Sequence, residues 1–306
     1  MSQKIVFMGT PEFSIPTLEI LVKSKHKILA VYSQPPSKAN RGQNIIPSSV
    51  EIFAKKHSLN LRTPESLENE EEYNFFKNLK PDIVVVVAYG KIIPKKYLNL
   101  SKFGFINVHA SLLPKWRGAA PIQRSIMNLD NQTGISIMKI VEELDAGPVM
   151  HQDTIQINEK IDSLTLSKVL SKLGANSLLK AINKIEKKQA IFEEQNHNNA
   201  TYAKKISKLE GKIDWNQTAK VVLAKINGLN PNPGAWFQYN NERYKVWKAE
   251  IINENNDIGK TIDDKLTIAC KEKSIKVLEI QKEGKNRQPI DQFLLGNKIK
   301  KGESIK

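Results

Sequence analysis

Apolar and polar positions follow two rhythms along this chain, and the change of rhythm divides it. Through residues 1–190 short apolar runs are separated by amphipathic stretches. Residues 4–8 form a run that stops at Gly9-Thr10-Pro11, and residues 13–23 then place their apolar positions at helical spacing, which predicts strand, turn and helix. Residues 26–33 read as a second strand, and 34–49 as a polar, proline-containing segment without a period. Residues 50–57 and 69–79 read as helices. Pro81-Asp82 then introduces IVVVVAYG, a continuous β-branched run of the kind that suits a central parallel strand covered on both faces. A strand over 103–109, a helix over 120–127, strands over 133–141 and 149–155, and one long helix over 163–188 complete this part. Such alternation predicts an α/β, Rossmann-like domain over residues 1–190 with a mostly parallel sheet. Gly9-Thr10-Pro11 lacks the further glycines of a dinucleotide fingerprint.

Residues 191–207 are polar and aperiodic and read as a linker. After one helix at 217–227, residues 208–306 carry short alternating runs such as GAWFQYNNERYKVWKAEII, the pattern of a small β-barrel of the oligonucleotide-binding type.

Composition narrows the class. With 40% hydrophobic and 26% charged residues, the 306-residue chain has the balance of a soluble globular protein. No apolar run approaches the ~20 residues that span a bilayer, so no membrane partner is expected. The first residues lead straight into a turn rather than a signal peptide, and a cytoplasmic enzyme is expected. Cys270 is the single cysteine, which leaves no disulfide framework and no cysteine-based metal site. The net charge is +15, and residues 201–306 hold 21 basic against 13 acidic residues, the denser positive region. A polyanion such as RNA fits that excess, and so does a lysine- and asparagine-rich base composition.

The chemistry concentrates in INVHASLLPKWRGAAPIQRSI, residues 106–126. Open parallel sheets bind ligands beyond the carboxyl ends of their strands, and this stretch begins at such an end. Side chains alternate along a strand, so Asn107 and His109 share a face. His109 is a natural proton acceptor near neutral pH, and the Asn107 amide can donate to a developing oxyanion. Asp145, in EELDAGPV, is the carboxylate that could orient the histidine. No covalent nucleophile accompanies them: Ser111 lacks the strained elbow of a hydrolase, and His109, Asp145 and His151 match no compact metal motif. Asn, His and Asp alone suggest direct acyl transfer between two bound substrates. Taken singly, each also reads as structure: a capping histidine, an ordinary LDAG turn, a hydrophobic SLLP turn.

Together these stretches resemble the methionyl-tRNA formyltransferases. The matching segments are GTPEFS at residues 9–14, NVHASLLPKWRGAAPIQRSI from Asn107, TGISIMKIVEELDAGPV from Thr133, NPNPGAWF at 230–237 and LEIQKEGK with FLLGN near the end. The resemblance implies formyl transfer from 10-formyltetrahydrofolate to the α-amine of methionine carried by initiator tRNA, with no metal; nothing in the sequence demands more than a monomer. It makes Asn107, His109 and Asp145 the catalytic residues. The backbone of Ser111, Leu112, Leu113 and Pro114 becomes the folate-binding turn, with VVVAYG and residues 141–147 walling a pterin slot. Lys38 and Arg41 match the family's tRNA-contacting insertion loop. The chain departs from the family at Gln43 and Asn44, where further lysines are usual, and at Asn227 and Leu229, where an arginine and an aromatic are usual. Trp116 and Arg117 are read as packing rather than as substrate contacts. Formyl transfer to an amino-sugar nucleotide or a purine precursor, formyl-folate hydrolysis, and a non-catalytic RNA- or folate-binding module are the competing readings.

Overall fold

A computed structural model describes residues 2–39 and 44–306. The chain forms two compact units, each assembled from separate stretches of sequence. One comprises Met1–Gly118, Thr133–Ile155 and Ser167–Tyr202; the other comprises Ala119–Gln132, Gln156–Leu166 and Ala203–Lys306.

The first unit is built on a seven-stranded sheet in the order Val149–Gln156, Gln132–Lys139, Phe105–His109, Ile83–Val87, Lys4–Gly9, Lys27–Tyr32, Leu61–Arg62. The five strands from Phe105–His109 to Leu61–Arg62 run parallel. All five residues of Ile83–Val87 are buried, as the β-branched run required. Phe76, from helix Glu70–Leu79, stacks on Phe105 and meets Tyr32 and Tyr97 edge-on, filling one side of the sheet. Helix starts are chemically marked: Ser48 accepts from the Glu51 N–H and Asn69 from the Glu71 N–H.

The sheet turns antiparallel beyond Phe105–His109. Phe105–His109 pairs antiparallel with Gln132–Lys139, setting His109 opposite Ser136 and Asn107 opposite Met138. The end of one parallel strand is thereby locked on both sides, by Val86 of Ile83–Val87 and by Met138.

Two local differences from the sequence reading stand out. The segment expected to lack a period contains paired antiparallel strands, Ser37–Ala39 and Asn44–Ile46. Lys38 is on the first of these; Arg41 and Gln43 lie outside the described residues. Leu61–Arg62 is a strand too short to show an alternation. Its Arg62 reaches the buried Glu72 carboxylate at 2.6 Å, and Glu72 also accepts from the Tyr32 hydroxyl at 2.7 Å.

The second unit carries five antiparallel strands: Ala235–Tyr239, Glu242–Ile252, Ser274–Lys282 and Thr267–Ala269 in that order, with Gln288–Pro289 beside Ser274–Lys282. Asn240 and Asn241 join the first two, both at positive φ (49° and 61°), the backbone a two-residue hairpin needs and asparagine tolerates. Residues 304–306 close the sheet on itself. Lys306 and Gln238 exchange backbone bonds, Ser304 bridges Lys260, and the Lys260 carbonyl accepts from the Ala269 N–H at 2.9 Å. The interior is Phe237, Tyr244, Val246, Ile275, Val277 and Phe293 among others. Cys270 lies in it, and burial pushes its thiol up to about 12. Both late departures from the family pattern are packing positions here: Leu229 is fully buried, and Asn227 donates to the Glu159 carbonyl at 2.8 Å. Among the described residues, no helix is long and apolar enough to cross a membrane.

Candidate active site

Strand Phe105–His109 presents Asn107 half-buried and His109 buried at 6% exposure, while Val108 points to the other side against Gly174 of helix Ser163–Glu186. The alternation expected from the sequence is therefore realised. Among the described residues the Asn107 side-chain amide has no hydrogen-bond partner, so its N–H groups are open to an incoming acceptor.

His109 is held between two oxygens. Its Nδ1 is 3.6 Å from Oδ2 of Asp145, within ion-pair distance. Its Nε2 is 3.0 Å from the Trp116 carbonyl. A carbonyl only accepts, so in this geometry Nε2 is the donor to Trp116.

Asp145 adopts a left-handed backbone, φ 49°. Such a conformation is strained for a residue with a β-carbon and persists only when its surroundings impose it. Three bonds do so. Oδ2 accepts from the Gly118 N–H at 2.9 Å. The Asp145 carbonyl accepts from Nε2 of Gln195 at 2.8 Å, and the same nitrogen donates to the Gly147 carbonyl at 2.7 Å. Gly147 itself packs so closely that a β-carbon there would lie 1.9 Å from the Lys139 carbonyl oxygen.

The turn Ser111–Pro114 is closed on itself. The Ser136 hydroxyl donates to the Ser111 carbonyl at 2.6 Å and accepts from the Leu113 N–H at 3.0 Å and from Gln152 at 2.7 Å. Gln152 also donates to the Leu113 carbonyl, the Ser111 hydroxyl to the Lys115 carbonyl, and the Thr201 N–H to the Pro114 carbonyl. Most polar groups of this turn are thus internally engaged. The neighbouring strand end is tied similarly: Thr10 and Gln34 both donate to the Tyr89 carbonyl. Exposed Val141 and Leu144 give the Asp145 loop an apolar surface.

Arg117, expected to pack rather than to meet substrate, is buried and hydrogen-bonded within the protein. Arg117 is 1% exposed, and its Nε and Nη2 both donate to Oε1 of Gln195, at 3.0 and 2.9 Å. Its Nη1 approaches Glu143 and His197, each at 3.4 Å. The flanking backbone serves the site directly, Trp116 through its carbonyl and Gly118 through its N–H. Gln195 and Thr201 come from the stretch expected to be a linker, and no periodicity or motif there marks them. His151 pairs with Asp153 at 3.0 Å, and among the described residues no group of three His, Cys, Asp or Glu side chains could hold a metal ion.

Residues 3–182 match the family model described as formyl transferase, and residues 205–298 match that described as formyl transferase, C-terminal domain. The methionyl-tRNA formyltransferase of Pelagibacter ubique is 52% identical over 307 aligned residues, covering 100% of this chain and 99% of that protein. The chain belongs to the methionyl-tRNA formyltransferase family. A second member, from Bradyrhizobium diazoefficiens, is 40% identical and covers 99% of both chains. The fold extends further than the family. An N-formyltransferase from Helicobacter canadensis, solved with folinic acid and dTDP-3-aminofucose, superposes with a TM-score of 0.68 at 20% identity, over 90% of this chain and 99% of that one.

Proposed function

We propose that this chain moves the formyl group of 10-formyltetrahydrofolate onto the α-amine of methionine esterified to initiator tRNA, with Asn107, His109 and Asp145 as the reacting groups. The observation that carries the assignment is the clamped histidine: Nδ1 at 3.6 Å from Asp145, Nε2 on the Trp116 carbonyl, and, on the same strand face, the Asn107 amide, which has no partner among the described residues. His109 takes the proton that the methionine amine releases as it bonds to the formyl carbon. The Asp145 carboxylate stabilises the resulting imidazolium. Asn107 donates to the formyl oxygen as that oxygen gains negative charge. His109 then returns the proton to the folate nitrogen as its bond to the formyl carbon breaks, so no proton is gained or lost overall. The folate supplies the activated formyl group.

The turn Ser111–Pro114 contributes mainly shape to folate binding, since so many of its polar groups are engaged internally; the apolar faces of Leu112, Val141 and Leu144 line the pterin side. Lys38, Arg41 and the positive C-terminal region contact tRNA phosphates, positioning the acceptor end without reading sequence. The catalytic domain occupies residues 1–190 and the tRNA-binding part 208–306. The protein works as a monomer in the cytoplasm.

The test is formyl transfer by the purified protein with 10-formyltetrahydrofolate and methionine-charged initiator tRNA, beside free methionine and an amino-sugar nucleotide. Formyl-methionyl-tRNA should form, and His109→Ala should lower kcat by roughly 10²–10⁴-fold, the usual worth of a positioned proton acceptor. Turnover of the sugar alone, or free formate without transfer, would overturn the substrate assignment.

A further inference from the structure

The side-chain amide of Gln195 has all of its hydrogen-bonding capacity committed within the site. Oε1 takes two donors from the buried Arg117, and Nε2 gives two bonds to the Asp145 and Gly147 carbonyls. Its orientation follows from those partners, because a flipped amide would point its NH₂ at a guanidinium. Arg117 is fixed at the other end: its N–H donates to the Thr201 carbonyl at 2.8 Å, and Thr201 Oγ1 accepts from the Trp116 N–H at 2.9 Å. The segment is itself anchored where Glu193 and Val149 exchange backbone bonds, at 2.8 and 2.9 Å.

One strap, residues 193–201, therefore holds both sides of the histidine. Thr201 fixes the backbone whose carbonyl engages Nε2, and Gln195 fixes the backbone that carries the carboxylate facing Nδ1. We infer that Gln195 is a positioning residue for the reaction: it imposes the left-handed backbone of Asp145, and so sets the carboxylate against His109, using Arg117 as its fixed point. The inference rests on the assignment of His109 and Asp145 as catalytic. No residue of the strap needs to touch either substrate.

Gln195→Glu separates this role from simple satisfaction of the buried arginine. A carboxylate accepts both Arg117 donors at least as well as the amide does, but it cannot donate to the Asp145 and Gly147 carbonyls. The variant should keep its KM for both substrates while kcat falls about 10- to 100-fold, the usual cost of losing a supporting partner or misplacing a group by an ångström. A wild-type kcat would overturn the inference and leave Gln195 as a counterpart to Arg117 only. Arg117→Lys is the second variant, keeping the buried cation but losing its two-pronged grip. It should reproduce a smaller kcat loss, and full activity there overturns the inference even if Gln195→Glu folds poorly. In an Asp145→Asn background, Gln195→Glu should cost little more; fully multiplicative losses would mean that Gln195 acts elsewhere. Should Asp145→Asn alone retain wild-type kcat, the catalytic assignment fails, an outcome distinct from the failure of the strap.

Discussion

The Ser111–Pro114 turn and the Asp145 loop stand on either side of the same histidine and keep their shapes by opposite means. The turn closes through Ser136, on the strand paired directly with its own, and through Gln152. The loop has a left-handed residue at its functional position and takes its shape from a glutamine fifty residues away along the chain. A self-bonded turn keeps its geometry wherever its two strands pair. A loop braced from outside keeps it only while the brace is present, which puts the catalytic carboxylate on the part of the site most exposed to remote substitutions.

The contrast can be broken most severely at Gly147. With a β-carbon 1.9 Å from the Lys139 carbonyl oxygen, Gly147→Ala must displace the loop backbone. We expect kcat to fall by about 10²-fold, as for a catalytic group moved by an ångström, with a smaller loss of folate affinity measured by fluorescence quenching because Val141 and Leu144 of the same loop line the pterin side. Parallel loss of both would mean that loop and turn are one structural unit.

Ser136→Ala attacks the other side. It removes the partner of the Ser111 carbonyl and the Leu113 N–H in a fully buried setting, at about 1–3 kcal/mol for each group left unsatisfied. The thermal midpoint should drop by several degrees, at roughly 2–4 °C per kcal/mol for a unit of this size. Folate KM should rise more than kcat falls. An unchanged melting curve would show that Gln152 alone supports the turn.

The smallest effect is expected at Asp153, outside both loops. Burial alone would raise its pKa, but bonds from Ser177, Lys180 and His151 outweigh that and bring it to about 2, below the ordinary 3.8. A depressed carboxylate stabilises the fold above its unfolded pKa and loses that contribution as pH falls through the folded value. Asp153→Asn should therefore cost roughly 1–2 kcal/mol at neutral pH, discounted for partial exposure, and the difference from wild type should shrink between pH 4 and pH 2 in urea titrations. A gap that persists at pH 2 would place the effect in packing.

The same contrast explains what could be read from the sequence. Strands and helices of the first unit follow from continuous β-branched runs and helical spacing, because burial on two faces or one stripe leaves a periodic trace. Asn107 and His109 were legible as a pair because strand alternation puts them on one face. Asp145 was legible as a residue type on a Gly-Pro loop, but its left-handed backbone was not. Gln195 and Thr201 left no trace, since hydrogen bonds from irregular backbone have no period and polar residues in such stretches resemble a solvated linker. The pairing of Ser37–Ala39 with Asn44–Ile46 was missed for a related reason: three residues per strand are too few to alternate.

The buried cysteine of the second unit has a practical corollary. Burial pushes this thiol up to about 12, so it is scarcely ionised at neutral pH, and the thiolate is the reactive species. Since Cys270 is the single cysteine of the chain, alkylating dyes and spin labels have almost no background target. A cysteine placed at exposed Leu144 would therefore be labelled essentially alone, giving a spectroscopic reporter beside Asp145 in which tightening or release of the Gln195 brace could be followed during turnover.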